Sequence, residues 1–156
     1  RIMAGMEQER DRHLVDLGLL VLRVGIGLMF LFCHGGPKLF GGPEMWAKVG
    51  QAMGSFGLHA FPVAWGLLAA AAEFFGGLCL ILGLLTRPAA LFMAITMAVA
   101  AAMHLTRGDG IGVASHAIEA GIVFFSLVLI GAGQYSLDHR FFGGGRPPGP
   151  FRYTLP

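Results

Sequence analysis

Residues 62–85 read PVAWGLLAAAAEFFGGLCLILGLL and hold a single charged side chain, that of Glu73. An α-helix rises about 1.5 Å per residue and the hydrocarbon core of a bilayer is about 30 Å thick, so this stretch is long enough to cross a membrane as a helix. Proline at its first position favours helix entry, because a missing backbone N–H costs nothing there. The stretch therefore predicts a transmembrane helix.

The rest of the sequence has the same apolar character. Of its 156 residues, 55% are hydrophobic and only 13% are charged, and the mean hydropathy is +0.69, whereas soluble domains carry about 25% charged residues. Three more apolar stretches predict helices, which gives four spans over residues 16–34, 62–85, 88–105 and 111–132. We therefore predict an all-α integral membrane four-helix bundle that forms a single domain over residues 1–156.

The segment between the first two spans predicts structure of its own. Gly35-Gly36-Pro37 is expected to end the first helix, and Pro43 with Glu44 suits the first turn of a new one. Four apolar side chains recur on one face of that second helix: those of Met45, Trp46, Val49 and Met53. The sequence thus predicts a short amphipathic helix in the first outer loop, where it either roofs the bundle or serves as a plain connector with Trp46 at the membrane interface.

The distribution of basic residues predicts the orientation of the bundle. On the side of the two termini lie Arg1, Arg10, Arg12, Arg87, Arg140, Arg146 and Arg152. The opposite side holds only Lys38, Lys48 and Arg107. Because cytoplasmic loops are enriched in lysine and arginine, both termini are expected to be cytoplasmic, as is a Gly/Pro-rich tail over residues 139–156. The expected location is the plasma (inner) membrane of a bacterium or archaeon.

Ionisable and imidazole side chains interrupt the apolar stretches. They are Arg23, His34, Glu73, His104, His116 and Glu119, with Lys38 just after the first span. A polar group in hydrocarbon costs several kcal/mol, so we expect the chain to gather these groups into one interior site. The helical rise puts Glu73 and Glu119 at one level, about 18 to 20 Å from the cytoplasmic side, and the three histidines about 24 to 27 Å from it. Arg23 is expected lower, at about 10 Å, with its long side chain reaching toward Glu73.

Such a cluster suits several kinds of chemistry. Carboxylates and imidazoles exchange protons and hydrogen-bond the carbonyl oxygens of a quinone, which is the leading hypothesis. A transition metal is a second possibility, with His104, His116, Glu119 and Glu73 as candidate ligands, and a haem held by two histidines is a third. In the alternative, the pairs Arg23–Glu73 and His116–Glu119 only stabilise the bundle. Transport of a small solute is less favoured, because one four-helix bundle offers little room.

Several short motifs resemble those of the DoxX family of small four-helix membrane proteins. They are LRVG at 22–25, CHGGPKLFG at 33–41, AEFFGG at 72–77, LGLLTR at 82–87 and GAGQYSLD at 131–138. The order and spacing of these motifs make the resemblance strong, and it covers nearly all of residues 14–138. It implies a four-helix membrane fold more directly than an activity.

The resemblance also implies a redox setting. Members of the family are similar to a subunit of thiosulfate:quinone oxidoreductase and to proteins of membrane redox and oxidative-stress complexes. Six residues fall where the family pattern tends to have the same type: Arg23, His34, Lys38, Glu73, Arg87 and Glu119. His116 has no clear place in that pattern, and the metal hypothesis depends on it most.

Two functions of different class follow from the sequence. The first is a membrane subunit of a quinone-linked oxidoreductase, respiratory or sulfur-linked, that offers a quinone or proton-handling pocket while a redox partner subunit supplies the electron-transfer centre. It would itself be either non-catalytic or quinone-binding. The second is a structural or accessory protein of a larger membrane complex. In both cases the lipid bilayer is a partner, and a net charge of +2 with dispersed basic residues does not favour nucleic-acid binding.

Overall fold

The computed structural model of the protein describes residues 2–142. Four helices in it are long and apolar enough to cross a membrane: Glu9–Leu39, Pro62–Leu82, Thr86–Arg107 and Ile111–Ile130. No β-strand occurs among the described residues. The predicted all-α membrane bundle is confirmed.

The helical elements follow one another with short connections. In chain order they are α1 (Ile2–Met29), a π-helical segment (Phe30–Gly35), α2 (Gly36–Leu39), α3 (Gly42–Gly50), a 3₁₀ helix (Gln51–Phe56), α4 (Pro62–Leu82), α5 (Thr86–Arg107), α6 (Ile111–Ile130) and α7 (Leu137–Phe142). Of the predicted tail, residues 139–142 belong to α7, which begins with the Ser136 hydroxyl accepting the backbone N–H of His139. The remainder of the tail lies outside the described residues.

The first helix is longer than predicted at both ends. It begins before residue 16 because the charged residues there are good helix formers and need not lie in the membrane. At its other end it passes through Gly35 and Gly36 to Leu39, so the prediction that Gly35-Gly36-Pro37 ends it is wrong. The π-helical segment explains the difference, since it lets Pro37 fall at the start of the next α-helical turn, where a missing N–H does no harm.

The second span ends three residues earlier than predicted. Gly83 adopts the left-handed conformation, with φ of 65°. The backbone N–H of Leu84 then donates to the carbonyl oxygen of Cys79 at 2.9 Å. This pattern ends helices, and it also frees the chain to start the third span at Thr86 instead of residue 88.

Small residues let the first span lie directly against α4. A Cβ atom on Gly27 would be 2.8 Å from the carbonyl oxygen of Gly77, and a Cβ atom on Gly35 would overlap the backbone of Phe74. Packing of this kind drives helix association in lipid, where the hydrophobic effect does not. The largest fully buried apolar side chains of the bundle are Phe30, Leu80, Met93, Phe124 and Leu127.

The predicted amphipathic helix exists as α3, and it packs along the start of α4. A Cβ atom on Gly66 would overlap the carbonyl oxygen of Trp46, and one on Gly50 would overlap that of Pro62. The two contacts are four residues apart on each helix, so α3 and the first turns of α4 run side by side in opposite directions. The Trp46 indole N–H donates to the carbonyl oxygen of Lys38 at 2.9 Å, which fixes α3 to the end of the first span.

Candidate functional site

A buried ion pair joins the first span to α4. The Nζ atom of Lys38 lies 2.7 Å from each carboxylate oxygen of Glu73. The Glu73 side chain is 1% exposed and that of Lys38 is 29% exposed. The lysine reaches the carboxylate because Gly35, one turn earlier, packs on the backbone of α4 at this level. Sequence reasoning expected the side chain of Arg23 to reach Glu73. In the structure the partner of Glu73 is Lys38 instead.

Two imidazole rings connect the first span to α6. The ring centroids of His34 and His116 are 5.2 Å apart and their planes are inclined by 25°, a stacked arrangement. One turn before His34, the ring of Phe30 lies 4.8 Å from both the His34 ring and the ring of buried Phe124 on α6. Because α6 otherwise packs mainly against α5, these aromatic contacts close the bundle between its first and last spans.

Glu119 lies one turn from His116 on the same face of α6. It is the ninth of the 20 residues of that helix, about 12 Å from one end and about 17 Å from the other. Both side chains are exposed on the flank of the bundle, and His34 is half-buried. Within residues 2–142, no hydrogen bond or ion pair joins any of the three to another side chain. We call His34, His116 and Glu119 the lateral site.

His116 and Glu119 are exposed on a helix that is long and apolar enough to cross a membrane. A carboxylate at the middle of a bilayer costs several kcal/mol when it faces hydrocarbon, so groups in this position usually meet a ligand, a partner or water. The imidazole N–H groups supply hydrogen-bond donors, and the imidazoles and the carboxylate accept and release protons. Lys38 and His116 both lie within electrostatic range of His34. The lateral site and the ion pair are therefore neighbours through the end of the first span.

The other proposed metal ligands are not brought to this place. His104 lies near the end of α5, where its Nδ1 atom is 2.8 Å from a carboxylate oxygen of Asp109. Glu73 is bound by Lys38. In the part of the chain that the structure describes, no group of three or more histidine, cysteine or acidic side chains is arranged to hold a metal ion. The stacked rings of His34 and His116 present their faces to each other, an arrangement that does not direct two ring nitrogens at one haem iron.

Arg23 lies at the opposite end of the bundle. We call this end of the bundle the basic end. It comprises the start of the first span, the ends of α4 and α6, and the starts of α5 and α7. The Arg23 side chain is fully buried. It donates one hydrogen bond of 3.0 Å to the carbonyl oxygen of Leu80 and one of 2.6 Å to that of Tyr135. Since Leu80 is close to the C-terminal end of α4, the cation also meets the negative end of the helix dipole.

Residues 131–138, with the sequence GAGQYSLD, fold over the basic end. Asp138 accepts backbone N–H groups at the start of α5 with both carboxylate oxygens, at 2.6 and 2.9 Å. Asp16 of the first span accepts the backbone N–H of Gln134 at 3.2 Å. Reasoning from spacing alone missed this arrangement. The available signal was the GAGQYSLD motif itself, a polar segment with two glycines directly after an apolar span.

The basic end also holds a cavity of about 950 Å³. Its walls come from the first span, the start of α5, the end of α6 and α7. None of the seven side chains proposed from the sequence as site residues lines it. The cavity is thus a second place at which this chain could hold a ligand.

Four apolar helices, joined by one buried ion pair and one pair of stacked imidazoles, define a small multi-pass membrane protein. The DoxX family model matches residues 18–105, which is more than half of the chain. The inner membrane protein YqjF of Escherichia coli (strain K12) is 32% identical over 132 residues, which cover 81% of this chain and 94% of that protein. The chain therefore belongs to the DoxX family. No solved structure matches it significantly.

The family match covers the ion pair but not all of the lateral site. It includes Arg23, His34, Lys38 and Glu73 but ends before α6, which carries His116 and Glu119. It also ends before residues 131–138. The ion pair therefore lies within the matched part of the chain, and the lateral site extends beyond it.

Proposed function

We propose that this chain is a membrane subunit of a quinone-linked oxidoreductase, respiratory or sulfur-linked, and that the lateral site receives the head group of a quinone from the bilayer. The observation that carries the proposal is the exposure of His116 and Glu119 on an apolar helix, with Glu119 near its middle. Quinones diffuse within the membrane, so a polar site that opens to the lipid is accessible to them without an aqueous channel. Membership of the DoxX family supports the same setting.

The residues of the site match the needs of quinone chemistry. A quinone carbonyl oxygen accepts a hydrogen bond, which an imidazole N–H of His34 or His116 can donate. Reduction of a quinone to the hydroquinone consumes two electrons and two protons. A redox centre on a partner subunit supplies the electrons, and the imidazoles and Glu119 pass protons to the quinone oxygens. Nearby, the Lys38–Glu73 pair holds the end of the first span, and with it His34, in position.

The proposal includes a location and an orientation. The relative YqjF is named as an inner membrane protein, and we place this chain in the corresponding membrane. The arginines at the basic end outnumber the lysines and arginines at the other end. Because cytoplasmic segments are enriched in basic residues, we place the basic end in the cytoplasm. In that orientation the lateral site lies toward the outer leaflet.

The test is the binding of a quinone analogue to the purified chain in lipid nanodiscs. Glu119→Gln and His116→Phe are expected to weaken binding about tenfold, because each removes a proton-transfer or hydrogen-bonding group from a site of low dielectric constant. Glu44→Gln and His59→Phe make the same chemical changes at exposed positions outside the four spans and should leave binding unchanged. Absence of saturable binding, or equal losses in all four variants, would contradict the proposal.

A structural or accessory role is the second candidate, and the polar contacts elsewhere in the bundle favour it. The Lys38–Glu73 pair connects the first span to α4, and two hydrogen bonds of Arg23 connect the first span to α4 and to residues 131–138, in both cases without a ligand. Under this alternative, variants of the lateral site would leave the turnover of the partner oxidoreductase unchanged and alter only the stability of the bundle. Under the leading proposal, Glu119→Gln lowers turnover while the folded fraction stays constant.

A further inference from the structure

The cavity at the basic end combines an apolar wall with a rim of charged side chains. Val15 and Leu19 of the first span and Ile130 at the end of α6 line the apolar part. Arg12, Arg87 and His139, from three different elements, line the polar part. Because α5 begins and α6 ends at this level, the cavity lies where the hydrocarbon of the bilayer meets water.

The two arginines have donors to spare. Among residues 2–142, Arg12 makes no hydrogen bond or ion pair, and Arg87 makes a single long hydrogen bond of 3.4 Å to the carbonyl oxygen of Leu129. A guanidinium group carries five N–H donors in a planar fork that matches the geometry of a phosphate. Both side chains can therefore bind an anion without giving up a strong contact.

Two acidic residues, Asp11 and Asp138, also line the cavity. Both carboxylate oxygens of Asp138 already accept backbone N–H groups at the start of α5. Asp11 is exposed, as is its sequence neighbour Arg12. The guanidinium groups of Arg12 and Arg87 thus remain the hydrogen-bond donors available to a ligand in the cavity.

We propose that this cavity binds an anionic phospholipid, with the lipid phosphate between Arg12 and Arg87 and its glycerol and first acyl carbons against Val15, Leu19 and Ile130. Basic pockets between transmembrane helices are the usual binding sites of anionic head groups, and Arg–phosphate pairs are among the stronger charge-assisted contacts. A volume of about 950 Å³ accommodates a phosphate together with a glycerol group. This inference does not depend on the quinone proposal, because the cavity and the lateral site share no residue.

The test is the retention of phosphatidylglycerol by the full chain in detergent, measured by native mass spectrometry against phosphatidylcholine. Arg12→Gln and Arg87→Gln are each expected to lower retention of phosphatidylglycerol at least tenfold. Arg10→Gln and Arg140→Gln remove the same charge from exposed positions at the same end that do not line the cavity, and should change retention less than twofold. Val15→Trp fills the cavity without a change of charge and should also lower retention.

The outcomes distinguish specific binding of the lipid in the cavity from non-specific attraction of anionic lipid to basic side chains. Equal losses in all four arginine variants would show only non-specific attraction to charge and would overturn the proposal. Equal retention of phosphatidylcholine would do the same. Soluble glycerol phosphate distinguishes the source of the phosphate: if it displaces the lipid at a similar concentration, the cavity is a site for a free phosphate compound, and the lipid proposal fails. Circular dichroism of each variant confirms that the helices are intact.

Discussion

The Lys38–Glu73 pair predicts an asymmetric response to the loss of either partner. Lys38→Met leaves a carboxylate that is 1% exposed without the cation that contacts it, and an uncompensated buried charge costs about 3 to 5 kcal/mol. Glu73→Met leaves a lysine that is 29% exposed, whose long side chain can turn toward the membrane surface, so its cost should be nearer 1 kcal/mol. The double variant Lys38→Met/Glu73→Met should lie within about 1 kcal/mol of the wild type, since apolar side chains replace the pair in an apolar environment.

Thermal unfolding in detergent measures these differences. At about 2 to 4 °C per kcal/mol for a chain of this size, Lys38→Met should lower the melting temperature by about 10 °C, and the double variant should recover most of that loss. Lys48→Met is the matched control, because Lys48 is exposed on α3 and makes no ion pair with a described residue. If the two single losses simply add in the double variant, or if Lys38→Met is as mild as Lys48→Met, the reasoning about the ion pair is refuted.

Three further substitutions test other contacts, the first two by the same melting experiment and the third by proteolysis. Gly66→Ala should cost about 3 kcal/mol, because its methyl group would overlap the backbone of Trp46, whereas Gly25→Ala, with no atom within 4 Å, should cost nothing. Asp138→Ala should cost about 2 kcal/mol, since two backbone N–H groups lose a charged acceptor. Arg23→Met should release residues 131–138, and faster proteolytic cleavage within that segment is the readout; unchanged cleavage would mean that the arginine does not hold it.

The sequence predicted the four spans because length and hydropathy determine whether a helix crosses a bilayer. Their ends were less predictable, since they depend on backbone conformation. The second span stops at Leu82 because Gly83 turns left-handed, although the apolar run continues to Leu85. The first span continues through two glycines and a proline because a π-helical segment accommodates them. Neither effect can be derived from hydropathy.

The site was predictable in composition but not in its partners. Counting residues along the helices placed Glu73 and Glu119 at similar depths, yet depth does not determine direction, and Glu73 faces the interior while Glu119 is exposed. Lys38 fell outside the predicted first span, so an arginine was expected in its place.

Because of the π-helical segment Phe30–Gly35, the directions of the side chains that follow it depend on the exact number of residues in the first span. A π turn closes its hydrogen bonds over one residue more than an α turn, so every side chain after it is rotated by about 100° from the position that an uninterrupted α-helix would give. His34 lies in this segment, and Lys38 lies in α2, which directly follows it. A deletion of one residue here would leave hydropathy and length almost untouched, yet it would swing the lysine a quarter-turn away from Glu73. Insertions and deletions in this stretch should therefore be far more damaging than most substitutions.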